Sequence, residues 1–220
     1  MLAEQILSFF KKLKITAPLP KGVEVLNPYR NKETFSLCEK FYTRFYNDTH
    51  SRKVILGINP GRLGAGLTGV PFTDPTKLEM LGIPNAMPKV RELSSEFIYT
   101  FIDKFGGPEK FYKQFYFSSV SPLGFVSDGK NLNYYDQKEL ARALENFIVK
   151  SLKEQLSWGF DRNICFCLGE GENYKFIQKL NERHLFFERV VPLPHPRFIM
   201  QYKRKKVNEY IDKYLTELTD

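Results

Sequence analysis

Four short apolar runs separated by amphipathic segments are the feature of this sequence that most constrains its fold. They occupy residues 53–58 (KVILGI), 115–120 (FYFSSV), 163–168 (NICFCL) and 189–193 (RVVPL). Continuous apolar runs are typical of parallel strands that are buried on both faces, and helices must then cover those faces. The pattern predicts an α/β protein, a three-layer α/β/α sandwich around a central, mainly parallel four-stranded sheet.

The segments between the runs predict the covering helices. The clearest one begins at Asp136, where Glu139 three residues later suggests a capping box, and its apolar face carries Leu140, Leu144, Phe147, Ile148, Leu152 and Leu156. Further helices are expected near residues 34–46, 89–105, 171–182 and 203–218. The N-terminal MLAEQILSFFKKLK predicts an amphipathic helix rather than a secretion signal. Because no linker interrupts the chain, we expect a single domain over residues 1–220.

Charge and cysteine content limit the classes of function. The net charge of +8 favours a polyanionic partner, although a merely basic soluble protein is an equally open interpretation. Cys165 and Cys167 point to the same face of a strand, where a disulfide between them is geometrically poor. Together with Cys38 they are too few and too scattered for a structural zinc site or an iron–sulfur cluster. We therefore expect reduced cysteines, no metal or cofactor, no membrane span, and a cytoplasmic or nuclear location.

Loops that follow the four strands are where ligand binding is expected. In open α/β sheets the ligand lies beyond the carboxyl ends of the strands. The loops at those ends contain residues 59–61 (NPG), 121–124 (SPLG), 169–171 (GEG) and 194–197 (PHPR). Proline and glycine recur in them, which indicates defined backbone shapes rather than flexible connections.

A glycine motif in the first of these loops matches the spacing of dinucleotide-binding sites. Residues 64–69 read GAGLTG, but five residues separate them from the strand, and Pro71 disfavours a helix starting after Gly69. A phosphate-binding loop is also excluded, because after Gly61–Gly66 the residue Leu67 stands where that motif needs a lysine before its Ser or Thr. The glycines instead predict a loop whose backbone approaches a flat ligand closely.

Asn59 and Phe72 suggest what that ligand is. An aromatic face, the N–H groups of a glycine-rich turn and a carboxamide are the groups that read a nucleobase turned out of DNA. Each residue also has an ordinary structural interpretation, since Phe72 can be a core residue and Asn59 a turn former.

The larger pattern resembles a known enzyme family. Residues 57–72 (GINPGRLGAGLTGVPF) resemble the first motif of the single-strand-selective monofunctional uracil-DNA glycosylases, a branch of the uracil-DNA glycosylase superfamily. Residues 108–132 are similar to the segment through the family's middle strand, and residues 192–198 (PLPHPRF) to its late loop. The resemblance covers roughly residues 50–200 and implies the family's fold and activity on DNA.

By position, the resemblance implies a role for each matching residue. Asn59 would orient the attacking water, Ile58 and Gly61 would contact the base through their backbones, and Phe72 would stack on it. Arg197 would lie in the loop that wedges into the duplex. The run Lys203–Lys206 (KRKK) adds Lys203 and Arg204 as candidate phosphate contacts, although a solvated helix face is the commoner explanation of a short basic run.

Two positions depart from the family pattern. Ser119 stands where the family usually has an asparagine that reads the uracil edge, and one hydroxyl cannot replace the paired contacts of an amide. In the late loop Leu193 aligns with the usual histidine and His195 with the usual serine. His195 either donates a hydrogen bond to the departing base or only packs in a turn between prolines.

These observations predict a DNA glycosylase of base-excision repair. It would act as a monomer that flips deaminated bases out of DNA and excises them by hydrolysis, uracil first, with xanthine or hypoxanthine as further substrates because of Ser119. Single-stranded DNA is the expected partner, and double-stranded DNA stays an open alternative. Without a lysine beside the motifs, no Schiff base is expected; Lys53 and Lys130 are interpreted as surface or phosphate contacts. The alternatives are a relative specialised for another lesion and a weakly active or inactive DNA-binding protein of the same fold.

Overall fold

A four-stranded parallel sheet forms the centre of the protein. The computed structural model describes residues 1–219, which form seven strands. These are β1 (Val23–Leu26), β2 (Lys53–Gly57), β3 (Phe115–Ser119), β4 (Gly124–Ser127), β5 (Lys130–Leu132), β6 (Asp161–Leu168) and β7 (Arg189–Leu193). The central sheet has the order β3–β2–β6–β7 and is parallel throughout, which confirms the four predicted strands to within two residues at each end.

A second, antiparallel sheet of order β1–β4–β5 was not predicted from the sequence. Its β4–β5 hairpin turns through Asp128 and Gly129, with φ of 48° and 69°, the left-handed conformations that two-residue hairpin loops require. The hairpin carries Asn131 back toward the first loop, where its Oδ1 accepts a hydrogen bond from the Arg62 N–H at 3.0 Å. The small sheet thus forms one wall beside the ends of the central strands.

Helices cover the central sheet on both faces. They are α1 (Leu2–Lys12), α2 (Lys32–Tyr46), α3 (Ala65–Thr68), α4 (Pro75–Met80), α5 (Leu93–Phe105), α6 (Pro108–Gln114), α7 (Lys138–Leu156), α8 (Glu172–His184), α9 (Pro196–Tyr202) and α10 (Val207–Thr219). Within residues 1–219, no helix has the length and apolar character needed to cross a membrane.

The predicted start of the long helix was wrong by two residues. α7 begins at Lys138 after Gln137, and Asp136 lies outside it. The Asp136 carboxylate accepts a hydrogen bond from the Asn133 N–H at 2.8 Å instead of capping the helix. Asp136 thus closes the turn that precedes α7, because short acidic side chains bond nearby backbone N–H groups in turns as well as at helix starts.

Strand β3 shows how the two helical layers are held. Phe115 and Phe117 point to one face, where the Phe111 ring of α6 lies 5.1 and 5.3 Å away between centroids. Tyr116 and Ser118 point to the other face, where both hydroxyls donate to Gln155 Oε1 of α7 at 3.3 and 2.6 Å. Because successive side chains of a strand point to opposite faces, β3 contacts a helix on each side of the sheet.

Candidate functional site

A cleft of about 520 Å³ opens at the carboxyl ends of the central strands, where the sequence predicted a ligand site. Its volume is typical of a small-molecule or nucleobase site. The predicted residues that line it are Ile58, Asn59, Gly61, Phe72, Ser119, His195 and Arg197. Lys203 and Arg204 do not line the cleft and are exposed just beyond it.

Asn59 enters the cleft with its amide fixed by backbone groups. Its Oδ1 accepts from the Tyr134 N–H at 3.0 Å, and its Nδ2 donates to the Leu132 carbonyl at 3.2 Å. A backbone donor and a backbone acceptor together define which end of the amide is oxygen. One lone pair of Oδ1 stays available for a further donor such as water.

Tyr134 and Asn173 form a second layer behind Asn59 that the sequence did not reveal. The buried Tyr134 hydroxyl donates to Asn173 Oδ1 at 2.8 Å. Asn173 Nδ2, at the start of α8, then donates to the Leu168 carbonyl at 3.0 Å, with the Gly57 carbonyl 3.5 Å away. The network therefore ties Asn59 to the carboxyl ends of β2 and β6. A tyrosine in the loop between β5 and α7 carries no local sequence signal of this role.

Phe72 lies partly buried at the base of the cleft in a strained conformation. Its φ is 55°, a left-handed value that bulky residues rarely adopt. The ring packs directly over Gly57, because a Cβ at that position would lie 2.7 Å from Phe72 Cζ. Its centroid is 5.1 Å from the Phe117 ring and 6.2 Å from the His195 ring. Local strain held by tight packing is a common mark of functional sites.

The sequence predicted that the glycine motif forms a loop whose backbone approaches a ligand. Most of the motif instead forms a short helix. Residues 65–68 form α3, which ends at Gly69 with φ of 70°, and the next helix, α4, begins only at Pro75. α3 is bonded to α2, because Thr34 Oγ1 of α2 donates to the Leu67 carbonyl at 2.8 Å. Gly66 and Gly69 are required for contacts within the protein, because side chains there would clash with Gly61 and Cys38. Gly64 is the motif glycine that lines the cleft, together with Gly61 just before the motif.

Ser119 lies at the end of β3 and borders the cleft with 8% of its surface exposed. Its hydroxyl has no hydrogen-bond partner among residues 1–219, unlike that of Ser118. Gly57 pairs with it on β2, and the carbonyl of the next residue, Ile58, accepts from the Ser121 N–H at 3.1 Å. A free hydroxyl at this position can donate to or accept from a ligand edge.

His195, and not Leu193, faces the cleft. Leu193 is fully buried at the end of β7, whereas His195 is partly buried and caps α9, with Nδ1 accepting from the Arg197 N–H at 3.1 Å. Burial, and secondarily the Arg197 charge, lower the pKa of His195 to about 4. The ring is therefore neutral near pH 7. With Nδ1 used as an acceptor, its proton lies on Nε2.

Basic side chains surround the mouth of the cleft. Arg62, Lys130 and Arg197 line it, opposed by the Glu92 carboxylate, which caps α5 by accepting from the Ser95 N–H at 2.7 Å. Lys130 thus lies nearer to the site than its interpretation as a surface residue suggested. Beyond them, Arg204 pairs with Glu96 at 3.3 Å. The excess of positive charge favours a phosphate-bearing ligand.

Comparisons with known proteins agree with this geometry. A family model described as the uracil DNA glycosylase superfamily matches residues 43–219. Among solved structures, the chain is similar to the crystal structure of wild-type SMUG2 from Pedobacter heparinus, with 47% sequence identity and a TM-score of 0.96. That match covers 99% of this chain and 97% of the other. No curated protein sequence matches the chain significantly. The matched segment contains the whole cleft lining, and the chain belongs to the uracil DNA glycosylase superfamily.

Proposed function

We propose that this protein is a monofunctional DNA glycosylase that hydrolyses the bond between a deaminated base, uracil first, and deoxyribose. The observation that carries the proposal is the convergence of three groups on one cleft. These are the Asn59 amide held by Tyr134 and Leu132, the Phe72 ring over Gly57, and the neutral His195 ring. An amide, an aromatic face and a neutral imidazole suit an uncharged base that leaves as an anion.

In the proposed mechanism, the base turns out of the DNA and stacks on Phe72, with Ile58 and Gly61 contacting it through their backbones. Asn59 Oδ1 holds a water against C1′ of the sugar. As the glycosidic bond breaks, its electron pair moves to the base, and the His195 Nε2–H donates a hydrogen bond to the base oxygen that gains charge. The water oxygen bonds to C1′, and its lost proton balances the charge of the departing base.

The proposal is tested with uracil-bearing oligonucleotides, single and double stranded, followed by alkaline cleavage. The wild-type protein should leave abasic sites. Asn59→Ala should lower kcat by about 10²- to 10³-fold, because the water loses its orientation. Asn163→Ala is a matched control, since Asn163 is an exposed amide at the opposite end of the sheet. Equal kcat values for Asn59→Ala and wild type would reject the proposed role.

Hydrolysis without a covalent intermediate is a separate part of the proposal. Lys130 lines the cleft, so a Schiff base with the sugar has a candidate nucleophile. We propose that Lys130 serves as a phosphate contact. Borohydride should then trap no covalent complex, and Lys130→Gln should raise KM while leaving kcat unchanged. A trapped adduct that disappears in Lys130→Gln would overturn this.

Ser119 supports a broader substrate range that includes xanthine or hypoxanthine. Its free hydroxyl imposes fewer constraints on a base edge than an amide would. A panel of oligonucleotides with each base should show that Ser119→Asn narrows the range toward uracil. If the profile of the variant equals that of the wild type, Ser119 is not the selector.

Arg197 is proposed to lie in the loop that wedges into the duplex, and Lys203 and Arg204 to contact DNA phosphates. The protein is proposed to act as a monomer in the nucleoid or nucleus. The second candidate function is a DNA-binding protein without turnover. Leu193 at the usual histidine position favours it. A protein of this kind would bind the same oligonucleotides and leave no abasic sites.

A further inference from the structure

Two aromatic side chains are exposed beside the cleft. Phe198 and Tyr202 lie one helical turn apart on α9, with 44% and 66% of their surfaces exposed. Their ring centroids are 5.6 Å apart and the planes tilt by 45°. We call these two residues the α9 aromatic pair. Because the two rings are neighbours, they form one contiguous apolar patch, and such patches mark contact with a partner.

The α9 aromatic pair follows two cleft residues along the same helix. His195 caps α9, and Arg197, the residue before Phe198, lines the cleft. Within residues 1–219, the Tyr202 hydroxyl has no hydrogen-bond partner, so the protein itself does not fix this ring. A strand whose flipped base occupies the cleft would pass over α9 with its neighbouring nucleotides.

The charge next to the α9 aromatic pair suits a nucleic acid backbone. Arg197 precedes the α9 aromatic pair, and Lys203 and Lys205 follow it. In the described part of the chain, these three cations form no ion pair. Arg204 and Lys206 are instead paired with Glu96 and Glu209. Unpaired cations flanking aromatic rings are the combination with which proteins hold single strands, by phosphate contacts and base stacking.

We infer that the α9 aromatic pair is a stacking platform for unpaired bases that adjoin the flipped nucleotide. The inference rests on the proposed function for the identity of the nucleic acid. Rings 5.6 Å apart cannot enclose a base, since each stacking contact takes about 3.4 Å, so each ring offers its outer face to a different base. In a duplex those base faces are already stacked on their neighbours, so the platform favours single-stranded DNA.

The test measures affinity for a fluorescent single-stranded oligothymidine without uracil, by anisotropy at fixed salt. Replacing both rings by leucine (Phe198→Leu with Tyr202→Leu) should weaken binding about fivefold to a hundredfold, because a leucine keeps apolar area and cannot stack. Exchanging the rings (Phe198→Tyr with Tyr202→Phe) should retain wild-type affinity. Leu185→Ala is the matched control, as Leu185 is 72% exposed and directly follows the C-terminal end of α8. Thermal unfolding confirms that each variant is folded.

Three results would overturn the inference. The double leucine variant could bind the single strand as tightly as wild type, the exchanged rings could fail to retain affinity, or the loss could be equal on a duplex of the same length. Uracil excision by the wild-type protein is measured separately. If excision is absent while the ring-dependent binding holds, the proposed function fails and the platform stands.

Discussion

The backbone N–H of Tyr134 donates to Oδ1 of Asn59 at 3.0 Å, and the hydroxyl of the same tyrosine donates to Asn173 at 2.8 Å. One residue thus joins the amide in the cleft to a buried asparagine that binds the ends of the central strands. Asn59 is oriented by a residue 75 positions later in the chain. Such pre-organisation lowers the cost of placing a water in line with the reacting carbon.

Tyr134→Phe should lower kcat for uracil excision about tenfold and leave KM nearly unchanged. Phenylalanine fills the same space but leaves Asn173 Oδ1 without its donor, so the loop that carries the Asn59 partner loses its anchor. Steady-state kinetics with a single-stranded substrate measure both constants. A rise in KM with unchanged kcat would contradict a positioning role.

Two variants control for this result. Tyr135→Phe changes the neighbouring tyrosine, which is partly buried and outside the network, and should be neutral. In the double variant Asn59→Ala with Tyr134→Phe, kcat should equal that of Asn59→Ala alone, because Tyr134 acts through Asn59. Additive losses would mean that the two residues act independently.

Gly57→Ala should lower excision at least about tenfold by displacing Phe72. The added methyl group would lie 2.7 Å from the ring, closer than any real contact, and the backbone at Phe72 is already strained. Single-turnover kinetics measure the effect. In a Phe72→Ala background the same substitution should cost nothing further, because the ring it strikes is gone; a further loss there would place the clash elsewhere.

The sequence predicted the central sheet because its strands are continuous apolar runs, a signal that depends only on burial. It missed the β1–β4–β5 sheet because Val23–Leu26 is four residues long without a buried side chain and β5 has only three residues. The motif residues Asn59, Phe72 and His195 were predicted to share a site, and they line one cleft. Tyr134 and Asn173 were not predicted, since their partners are 75 and 116 residues away in the chain.

Asp48→Asn should lower the free energy of unfolding by about 3 kcal/mol, or Tm by roughly 6 to 12 °C. Arg52 is 1% exposed, and both of its terminal nitrogens bind the Asp48 carboxylate at 2.7 and 2.8 Å. A neutral amide would leave the buried guanidinium without a counter-charge. Denaturant or thermal unfolding measures the loss, and Asp212→Asn, a substitution on the exposed face of α10, should be neutral.

The same pair predicts a pH dependence of stability. Hydrogen bonds from Arg52 are the largest of the causes that lower the pKa of Asp48 from 3.8 to about 2. Because the unfolded chain binds this proton more readily, the contribution is complete above pH 3.8 and is lost as the pH falls toward 2. In Asp48→Asn this part of the acid dependence should disappear; an unchanged acid profile would mean that other groups control it.

His195 should make excision insensitive to pH down to an unusually low value. Burial, and then the Arg197 charge, lower its pKa to about 4, so the neutral ring that donates from Nε2 persists well below the ordinary pKa of 6.5. We expect kcat to stay constant from about pH 8 to pH 5 and to fall toward pH 4 as Nδ1 is protonated and loses its bond from the Arg197 N–H. Arg197→Gln removes the second cause, so the acid inflection of kcat should move upward, part of the way from pH 4 toward pH 6.5. His50→Asn is the control and should leave the inflection in place, because His50 lies outside the cleft. An inflection near pH 6.5 in the wild-type protein would show that the ring is as accessible to protons as a surface histidine, and the proposed donor role would then need a different group.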